Sequence, residues 1–210
     1  MIRLEKKYIL NSEYERLRLI KFLYKNGFKN IYKDRTNFSI YFDYRNLKYF
    51  IDSEEGLAYR TKLRLRVDNK YFKNDYNKFN FEIKKSNPYF KKKITFKNDL
   101  ESKLSSLHSE KKIYENEIIS KKLIPILSTK YERSYFYSKK YGRITIDKNL
   151  EYQSVYWSKF MKEFGFKQKK KDKRIVIEHK IENKLSENDF IKLVPTRISK
   201  YCEGVKYLNL

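Results

Sequence analysis

The stretch Tyr59-Arg60-Thr61-Lys62-Leu63-Arg64-Leu65-Arg66-Val67 alternates cationic residues with apolar or neutral ones, without an interruption. Side chains along a β-strand point alternately to its two faces, so the four cations share one face. Neighbouring like charges on a strand face destabilise it by an energy on the order of a few tenths of a kcal/mol per pair. The pattern therefore fits either a solvated edge strand or a face that a polyanion neutralises.

The composition of the chain favours an anionic partner. Among 210 residues, 50 are Lys or Arg and 26 are Asp or Glu, which gives a formal net charge of +24. Such an excess is typical of proteins that bind nucleic acid, anionic membranes or polyphosphate. The length suits one domain, and a hydrophobic content of 40% is enough for a sizeable core.

The cysteine content and the N-terminal sequence indicate the compartment. Cys202 is the only cysteine, so an internal disulfide is excluded and a reducing environment is expected. Residues 1–7 lack the apolar segment of a signal peptide, and no apolar run approaches the roughly 18 to 20 residues of a membrane span. We expect a cytoplasmic protein with no transmembrane segment, which leaves open a membrane-protein partner.

Several further segments repeat the two-faced pattern of the basic strand, with aliphatic or aromatic residues on one face and Arg, Lys or Glu on the other. These predicted strands are 2–10, 79–85, 91–96, 143–147 and 174–182. Predicted helices run from Asn11 or Ser12 to about residue 26 and from Glu187 to Val194, and residues 98–124 are predicted to form two helices that end near Pro125. Residues 150–173 have no clear period, and Lys169-Lys170-Lys171 within them is interpreted as a solvated turn.

Two architectures satisfy this pattern. One is an open sheet with helices on its apolar face, and the other is a closed antiparallel barrel with helices outside and a polar interior. Cations inside a barrel need counter-charge, because an unpaired buried charge costs several kcal/mol. A phosphate chain is a dense, linear anion, and Arg binds phosphate oxygens in a bidentate manner.

A series of short motifs resembles a known family. In chain order they are Glu5-Lys6-Lys7-Tyr8, Ile40-Tyr41-Phe42-Asp43, Lys62-Leu63-Arg64-Leu65-Arg66, Phe81-Glu82-Ile83-Lys84 with Lys93, Tyr131-Glu132-Arg133, Arg143-Ile144-Thr145-Ile146-Asp147, Ile177-Glu178-His179-Lys180 and Ser199-Lys200-Tyr201. The chain resembles the VTC domain, the catalytic domain of polyphosphate polymerases within the CYTH, or triphosphate-tunnel, superfamily. The resemblance implies an α+β fold, an antiparallel closed β-barrel with helices packed outside, formed by one domain over residues 1–210.

The resemblance also implies which residues line the tunnel. The implied catalytic residues are Arg64, Arg66, Arg133, Arg143 and Lys200. The implied substrate-binding residues are Lys7, Lys62, Lys84, Lys93 and Lys180. Glu178 is the implied metal ligand, with Glu5 as a second carboxylate, for Mn²⁺ or Mg²⁺.

The implied reaction transfers the γ-phosphoryl group of ATP to a growing inorganic polyphosphate chain and releases ADP. Two alternatives stay open: a metal-dependent hydrolase of inorganic or thiamine triphosphate on the same fold, and a non-catalytic module that binds polyphosphate or RNA. Hydrolases of this fold usually begin with Glu-x-Glu-x-Lys, and here Arg3 replaces the first Glu while Glu5 and Lys7 match, which favours the polymerase. Nucleic acid is the less favoured partner, because most aromatic residues alternate onto the apolar faces.

Several of these residues also have simpler explanations. Glu178 is positioned to pair with Lys180 or Arg174 within the sheet, and Lys200 near the C-terminus fits a solvated lysine. His179 alternates with Ile177 and Ile181, which is typical of a half-buried structural histidine. Cys202 has no neighbouring residues that would make it reactive and fits an inert thiol.

Overall fold

The computed structural model describes residues 4–68, 79–97, 118, 120–158, 163–181 and 191–210. The strands of this part are β1 (Leu4–Leu10), β2 (Lys29–Asp43), β3 (Arg60–Asp68), β4 (Phe79–Ser86), β5 (Lys91–Lys97), β6 (Ile124–Ser138), β7 (Gly142–Ser158), β8 (Glu163–Asp172) and β9 (Ile175–Ile181). Its helices are α1 (Glu13–Lys25), α2 (Lys48–Glu54) and α3 (Lys200–Leu208).

The strands form one sheet with the hydrogen-bonded order β1-β9-β7-β6-β2-β3-β4-β5, and β8 pairs with β7 outside this path. The pairs β1/β9, β7/β9, β2/β3, β3/β4 and β4/β5 are antiparallel. The predicted α+β class is therefore confirmed. The predicted barrel closure is not confirmed, because β1 and β5 end this order and no hydrogen-bonded pairing joins them within the described residues.

The strand predictions succeed where alternation is regular and fail where it is not. The basic strand, the first strand and the last strand correspond to β3, β1 and β9. The interpretation of Lys169-Lys170-Lys171 as a turn is wrong, since these residues lie in β8. Backbone pairing with β7 fixes this strand, and such pairing leaves no trace in the side-chain pattern.

The first helix begins as its sequence predicts. Ser12 caps α1 in a capping box: its hydroxyl accepts a hydrogen bond from the Glu15 backbone N–H at 3.2 Å, and the Glu15 carboxylate accepts one from the Ser12 N–H. The helix ends before Gly27, whose φ of 76° is in the left-handed region that favours glycine.

The helix predicted from Glu187 to Val194 is wrong for the described residues 191–194, which have no helical structure. Pro195 follows them, and the residue before a proline is restricted to extended conformations. The Thr196 N–H then donates a hydrogen bond to the carbonyl of Lys7 at 2.7 Å, which attaches this segment to β1. Most of the helical section predicted over 98–124 lies outside the described residues, and Ile118 and Ser120 within it are helical. The prediction is wrong for 121–124, because Lys122 has a left-handed φ of 51° and Ile124 begins β6.

The chain divides into two compact units: unit 1 comprises Met1–Thr36, Lys130–Glu151 and Lys171–Ser199, and unit 2 comprises Asn37–Thr129, Tyr152–Lys170 and Lys200–Leu210. The prediction of a single domain over residues 1–210 stays a prediction. Among the described residues, no helix has the length and apolar composition needed to cross a bilayer.

Unit 1 has its own apolar core between α1 and the strands. The buried members are Tyr8, Leu10, Leu19, Leu23, Phe28, Phe136, Ile144, Ile146, Ile175, Ile177 and Ile191. Because these residues alternate with charged ones along β1, β7 and β9, the opposite face of the same strands presents Glu5, Lys7, Arg143 and Glu178.

Unit 2 repeats this arrangement around another core. Its buried members are Phe38, Ile40, Phe42, Tyr49, Leu63, Phe81, Ile83, Leu123 and Val155. Helix α3 packs closely because Gly204 has no side chain: a Cβ there would lie 2.5 Å from Cδ2 of Leu127 and 2.7 Å from Cδ1 of Tyr152. The face of β2, β3 and β4 away from this core carries polar residues, among them Tyr41, Arg64 and Glu82.

Candidate functional site

The polar face of unit 2 contains a row of lysines across three strands. Lys62 on β3 lies opposite Lys84 on β4, which lies opposite Lys93 on β5. Arg64 and Arg66 continue the row along β3, since alternate residues of a strand share a face. The basic strand is therefore part of a wider cationic face.

One buried carboxylate organises this cationic face. Glu82 is 3% exposed, and its Oε2 accepts hydrogen bonds from Arg64 Nε at 2.8 Å and Nη2 at 2.6 Å. Its Oε1 accepts a third hydrogen bond, from Lys93 Nζ at 2.6 Å. Burial alone would raise the pKa of Glu82, but Arg64 and Lys93 outweigh it and lower that pKa to about 2. Glu82 therefore stays ionised at neutral pH and fixes the Arg64 guanidinium.

The remaining polar groups beside β3 come from β2. Tyr41 is buried, and its hydroxyl accepts a hydrogen bond from Arg64 Nη1 at 3.1 Å. Burial raises the pKa of Tyr41, but Arg64, Lys200 and Lys62 together outweigh burial, and the net pKa is lowered. Arg66 donates a hydrogen bond to Oδ1 of Asn37. The phenol of Tyr41 thus lies in a strongly positive environment.

The first turn of α3 completes this side of unit 2. The Tyr201 ring stacks on the Tyr41 ring, with centroids 5.1 Å apart and an interplanar angle of 23°. Cys202 is buried, and its Sγ lies 4.0 Å from Lys62 Nζ. Lys200 is half-buried and is the first residue of α3, so it is not the solvated tail lysine of the simpler explanation.

Unit 1 contains a second charged face, which alternates acids and bases across β1 and β9. The register places Lys7 opposite Glu178 and Glu5 opposite Lys180. Lys7 Nζ lies 3.6 Å from Oε1 of Glu5 and 3.7 Å from Oε1 of Glu178, and Lys180 Nζ lies 3.7 Å from Oε2 of Glu5. Lys7 also donates a hydrogen bond to the carbonyl of Ile198 at 3.1 Å.

Arg133 joins this face from β6. Its guanidinium binds the fully buried Asp147 through two hydrogen bonds and reaches Oε2 of Glu178 at 3.5 Å. Burial would lower the pKa of Arg133, but Asp147, Tyr131 and Glu178 raise it well above the ordinary value. Burial lowers the pKa of Lys180 despite Glu5 and Glu178.

Two polar atoms on β7 have no hydrogen-bond partner among the described residues. They are Nε of Arg143 and Oγ1 of Thr145, and both are buried. The register places Arg143 opposite Lys180 and Thr145 opposite Glu178. A buried donor without a partner costs free energy, so a ligand oxygen at this position would stabilise the arrangement.

The carboxylates of unit 1 fit a divalent cation that is shared with phosphate. Mg²⁺ is usually held by one or two carboxylates together with substrate phosphates and water. Glu178 and Glu5 supply two carboxylates, and Lys7 forms an ion pair with each of them. The Glu178 oxygens lie 3.5 Å from Arg133 and 3.7 Å from Lys7, which is longer than a tight hydrogen bond. Among the described residues no group of three His, Cys, Asp or Glu could enclose a metal alone, so the phosphates would complete such a site.

Comparison with known protein families shows the family to which this chain belongs. The VTC domain family model matches residues 3–209, which is nearly the whole chain. The chain belongs to the VTC domain family. No curated protein sequence matches it.

Solved structures support the fold of this VTC domain. A Vibrio parahaemolyticus protein described as a candidate adenylate cyclase is similar with a TM-score of 0.50 and 14% identity, over 98% of each chain. The PH1819 protein from Pyrococcus horikoshii OT3 is similar with a TM-score of 0.52 and 11% identity, over 97% of this chain and 96% of that one. At these identities the similarity concerns the fold alone.

Within each unit, the structure brings the site residues predicted for this VTC domain together on one polar face. Unit 1 contains Glu5, Lys7, Arg133, Arg143, Glu178 and Lys180, and unit 2 contains Lys62, Arg64, Arg66, Lys84, Lys93 and Lys200. Glu178 forms ion pairs with Lys7 and Arg133, whereas Arg174, one of the partners considered for it, binds Asp172.

Sequence reasoning assigned no role to four residues that hold the site of this VTC domain. They are Tyr41, Glu82, Asp147 and Tyr201. All four occur within recognised motifs, and the first three alternate with core residues along strands, so strand parity places those three on the polar faces. Their hydrogen-bond partners could not be predicted from sequence, because each partner lies on another strand or helix.

Proposed function

We propose that this VTC domain is an ATP-dependent polyphosphate polymerase, which transfers the γ-phosphoryl group of ATP to an inorganic polyphosphate chain and releases ADP. The observation that carries the proposal is the row of Lys62, Lys84 and Lys93 beside an arginine that Glu82 holds in place. Family membership supports chemistry on phosphoryl groups, and the cationic row supports a long polyanion as one substrate.

The reaction requires positioning more than covalent chemistry. A terminal oxygen of the polyphosphate attacks the γ-phosphorus of ATP, and the bond from that phosphorus to the β,γ-bridging oxygen breaks, so ADP leaves. We assign Arg64 and Arg66 in unit 2 and Arg133 and Arg143 in unit 1 as ligands of phosphate oxygens. Glu82 and Asp147 keep two of these guanidinium groups fixed before substrate binds, which lowers the reorganisation cost.

The cationic face of unit 2 is larger than one triphosphate needs. Lys62, Arg64, Arg66, Lys84, Lys93 and Lys200 belong to it, and Glu82 is the buried carboxylate among them. Several moderate contacts let a product slide while it stays bound, whereas one tight site would retain it. We therefore assign Lys62, Lys84 and Lys93 to the path of the polyphosphate, and Lys7 and Lys180 to phosphate contacts in unit 1.

A divalent cation, Mn²⁺ or Mg²⁺, is part of the proposal. Glu178 would hold it together with Glu5 and the phosphates, and when bound it would neutralise charge on the transferred phosphoryl group. Lys7 lies between these two carboxylates and keeps them within one charged network.

The closed tunnel and the single domain implied by the resemblance are also parts of this proposal, and so is a cytoplasmic location. An experimental structure with bound tripolyphosphate tests the first. It should show one enclosed lumen with phosphates on the arginines named above. Phosphates bound only on an open outer surface would contradict the tunnel.

The activity is tested by incubating the purified protein with ATP and Mn²⁺ or Mg²⁺ and separating ADP, orthophosphate and long chains on a gel. We expect ADP and acid-stable phosphate chains, with little orthophosphate. Rapid release of orthophosphate from tripolyphosphate would instead identify a triphosphatase. Polyphosphate or RNA binding with steep salt dependence and no nucleotide consumption would identify a binding module.

A further inference from the structure

The first turn of α3 is connected to β2 by a chain of buried side chains. The Tyr201 hydroxyl donates a hydrogen bond to Oδ2 of Asp43 at 2.5 Å, although 158 residues separate the two in sequence. Tyr201 is 2% exposed and Asp43 is 0% exposed. A hydrogen bond between two buried groups of this kind defines the orientation of the ring, because no water competes for either group.

Asp43 is itself fixed by the backbone around α2. Its carboxylate accepts hydrogen bonds from the N–H groups of Tyr44 at 2.7 Å, Tyr49 at 2.9 Å and Phe50 at 3.0 Å. The N-cap residue of α2, Leu47, forms no side-chain cap, so Asp43 caps this helix from the end of β2. The acceptor of the Tyr201 hydroxyl is therefore held by three backbone donors, two of which belong to α2.

The same tyrosine contacts the cationic face of unit 2. The Tyr201 ring stacks on Tyr41, and the Tyr41 hydroxyl accepts a hydrogen bond from Arg64 Nη1. Lys200, adjacent to Tyr201 in the chain, and Lys62 both act electrostatically on the Tyr41 phenol. One ring thus links the start of α3 to the cations assigned to phosphate.

We infer that Tyr201, anchored by Asp43, is a positioning residue that holds Lys200 beside Tyr41 and Arg64 to bind polyphosphate. The inference rests on the proposed function for the identity of the anion. In physical terms, the Lys200 ammonium reaches a phosphate oxygen only when the hydrogen bond from Tyr201 to Asp43 attaches the first turn of α3 to β2. The hydroxyl of Tyr201 acts through Lys200 and makes no contact with the substrate itself.

The test is a double-mutant cycle on binding of tripolyphosphate, measured by titration calorimetry with the full chain. Tyr201→Phe keeps the ring and removes the hydrogen bond to Asp43. We expect this change to weaken binding about tenfold in the wild-type background, the size of one hydrogen bond to a charged group. In the Lys200→Ala background the same change should weaken binding by less than about twofold, because the residue it positions is absent.

A matched control lies in the same helix. Tyr207→Phe removes the hydroxyl of another α3 tyrosine, whose ring packs on Tyr152 at a centroid distance of 5.7 Å, and binding should be unchanged. Circular dichroism and thermal melting establish that each variant folds. If Tyr201→Phe unfolds at a lower temperature than the wild type, the titrations are made below that transition. Asp43→Asn weakens the same hydrogen bond from the acceptor side, and its effect on binding must show the same dependence on Lys200.

Each result has a distinct reading. If Tyr201→Phe reduces the affinity for tripolyphosphate equally in both backgrounds, Tyr201 is a structural residue and the inference is overturned. The inference is also overturned if Tyr201→Phe reduces the affinity in neither background. If ATP yields no chains but tripolyphosphate binding follows the cycle, the proposed polymerase function fails and the positioning role stands. If the wild type does not bind tripolyphosphate at all, the inference is overturned, because Lys200 then has no phosphate to reach.

Discussion

The guanidinium of Arg133 donates two hydrogen bonds to the carboxylate of Asp147, from Nε to Oδ1 at 2.5 Å and from Nη2 to Oδ2 at 2.6 Å. Asp147 has no exposed surface, and the Arg133 side chain is 12% exposed. The geometry fixes the plane of the guanidinium, and Nη2 also approaches Glu178. Asp147 therefore determines where one of the proposed phosphate ligands points.

Asp147→Asn should reduce the free energy of unfolding by about 3 to 5 kcal/mol, the range for removing one partner of a buried ion pair. Urea denaturation followed by circular dichroism at neutral pH measures the change. The control is Glu13→Gln, at a pair with Arg16 whose Glu13 side chain is 57% exposed. That change should cost less than about 1 kcal/mol. A similarly small cost at Asp147 would contradict the importance of burial.

Glu82 should stabilise the fold at neutral pH and lose this effect in acid. Its folded-state pKa of about 2 lies below the ordinary value of 4.5, so the folded state favours the ionised form. The stabilisation is complete above the unfolded-state pKa and disappears as the pH falls through the folded-state pKa. Its size is about 3 kcal/mol, from about 1.4 kcal/mol per pKa unit.

Denaturation of the wild type and of Glu82→Gln at a series of pH values measures this effect. The difference in the free energy of unfolding between the two should shrink by about 3 kcal/mol as the pH falls from 4.5 to 2. Comparison with the variant cancels the titration of the other carboxylates. A difference that stays constant over this range would show that Arg64 and Lys93 do not hold the charged form.

Tyr41 should ionise at lower pH than an ordinary tyrosine, because Arg64, Lys200 and Lys62 together outweigh the effect of burial on its pKa. Ultraviolet titration of tyrosinate in the wild type, minus that in Tyr41→Phe, isolates this ionisation. Tripolyphosphate should move it to higher pH, since the anion neutralises the cations that favour phenolate. An ionisation unaffected by tripolyphosphate would mean that the phosphates do not bind beside Tyr41.

Glu178→Gln should abolish turnover and leave the fold intact, because the amide keeps the shape of the side chain and loses the charge that holds a divalent cation. We expect a loss of about hundredfold or more in ATP consumption, since a metal supplies several kcal/mol of charge stabilisation. Titration with Mn²⁺ should show weaker binding. Glu132→Gln, at the exposed pair with Lys148, is the control. Full activity at limiting metal would assign Glu178 to its ion pairs with Lys7 and Arg133.

Lys84→Ala should shorten the polyphosphate product while ADP release changes by less than about twofold, because the change removes binding along the path and not at the transferred group. Lys85→Ala is the matched control, since Lys85 is an exposed lysine on the same strand that points to the other face. Gel analysis of chain length measures the effect. Equal chain lengths in Lys84→Ala and the wild type would remove Lys84 from the product path.

Arg64→Ala, by contrast, should stop ATP consumption, because Arg64 is assigned to the phosphate oxygens and not to the product path.

The polar and apolar faces could be predicted from sequence wherever alternation is strict. In β3 the burial of Leu63 and the position of Arg64 on the polar face follow directly from parity. The same rule placed Glu5 and Lys7 on one face of β1 and Glu178 and Lys180 on one face of β9, and the register between the strands then brings the two pairs together. Parity works here because the pleat leaves a side chain only two directions, one of which faces an apolar core.

The side-chain pattern did not predict secondary structure where backbone hydrogen bonds determine it. The run Lys169-Lys170-Lys171 has no apolar side to bury, yet it forms part of β8 because the backbone of β8 pairs with that of β7. Similarly, the sequence predicts a helix through residues 191–194, but Pro195 and the hydrogen bond from Thr196 to the carbonyl of Lys7 hold the chain in a non-helical conformation.

The sequence by itself determined the α+β class, the cationic face of β3 and the identity of the residues that carry charge. The tertiary structure alone decided which charges are held in place and by what. Arg64 is fixed by Glu82, Arg133 by Asp147, and the start of α3 by the hydrogen bond from Tyr201 to Asp43. The physical reason is that alternation is a local property of the pleated backbone, whereas each of these contacts joins residues that only the packing of distant strands and helices brings within 3 Å.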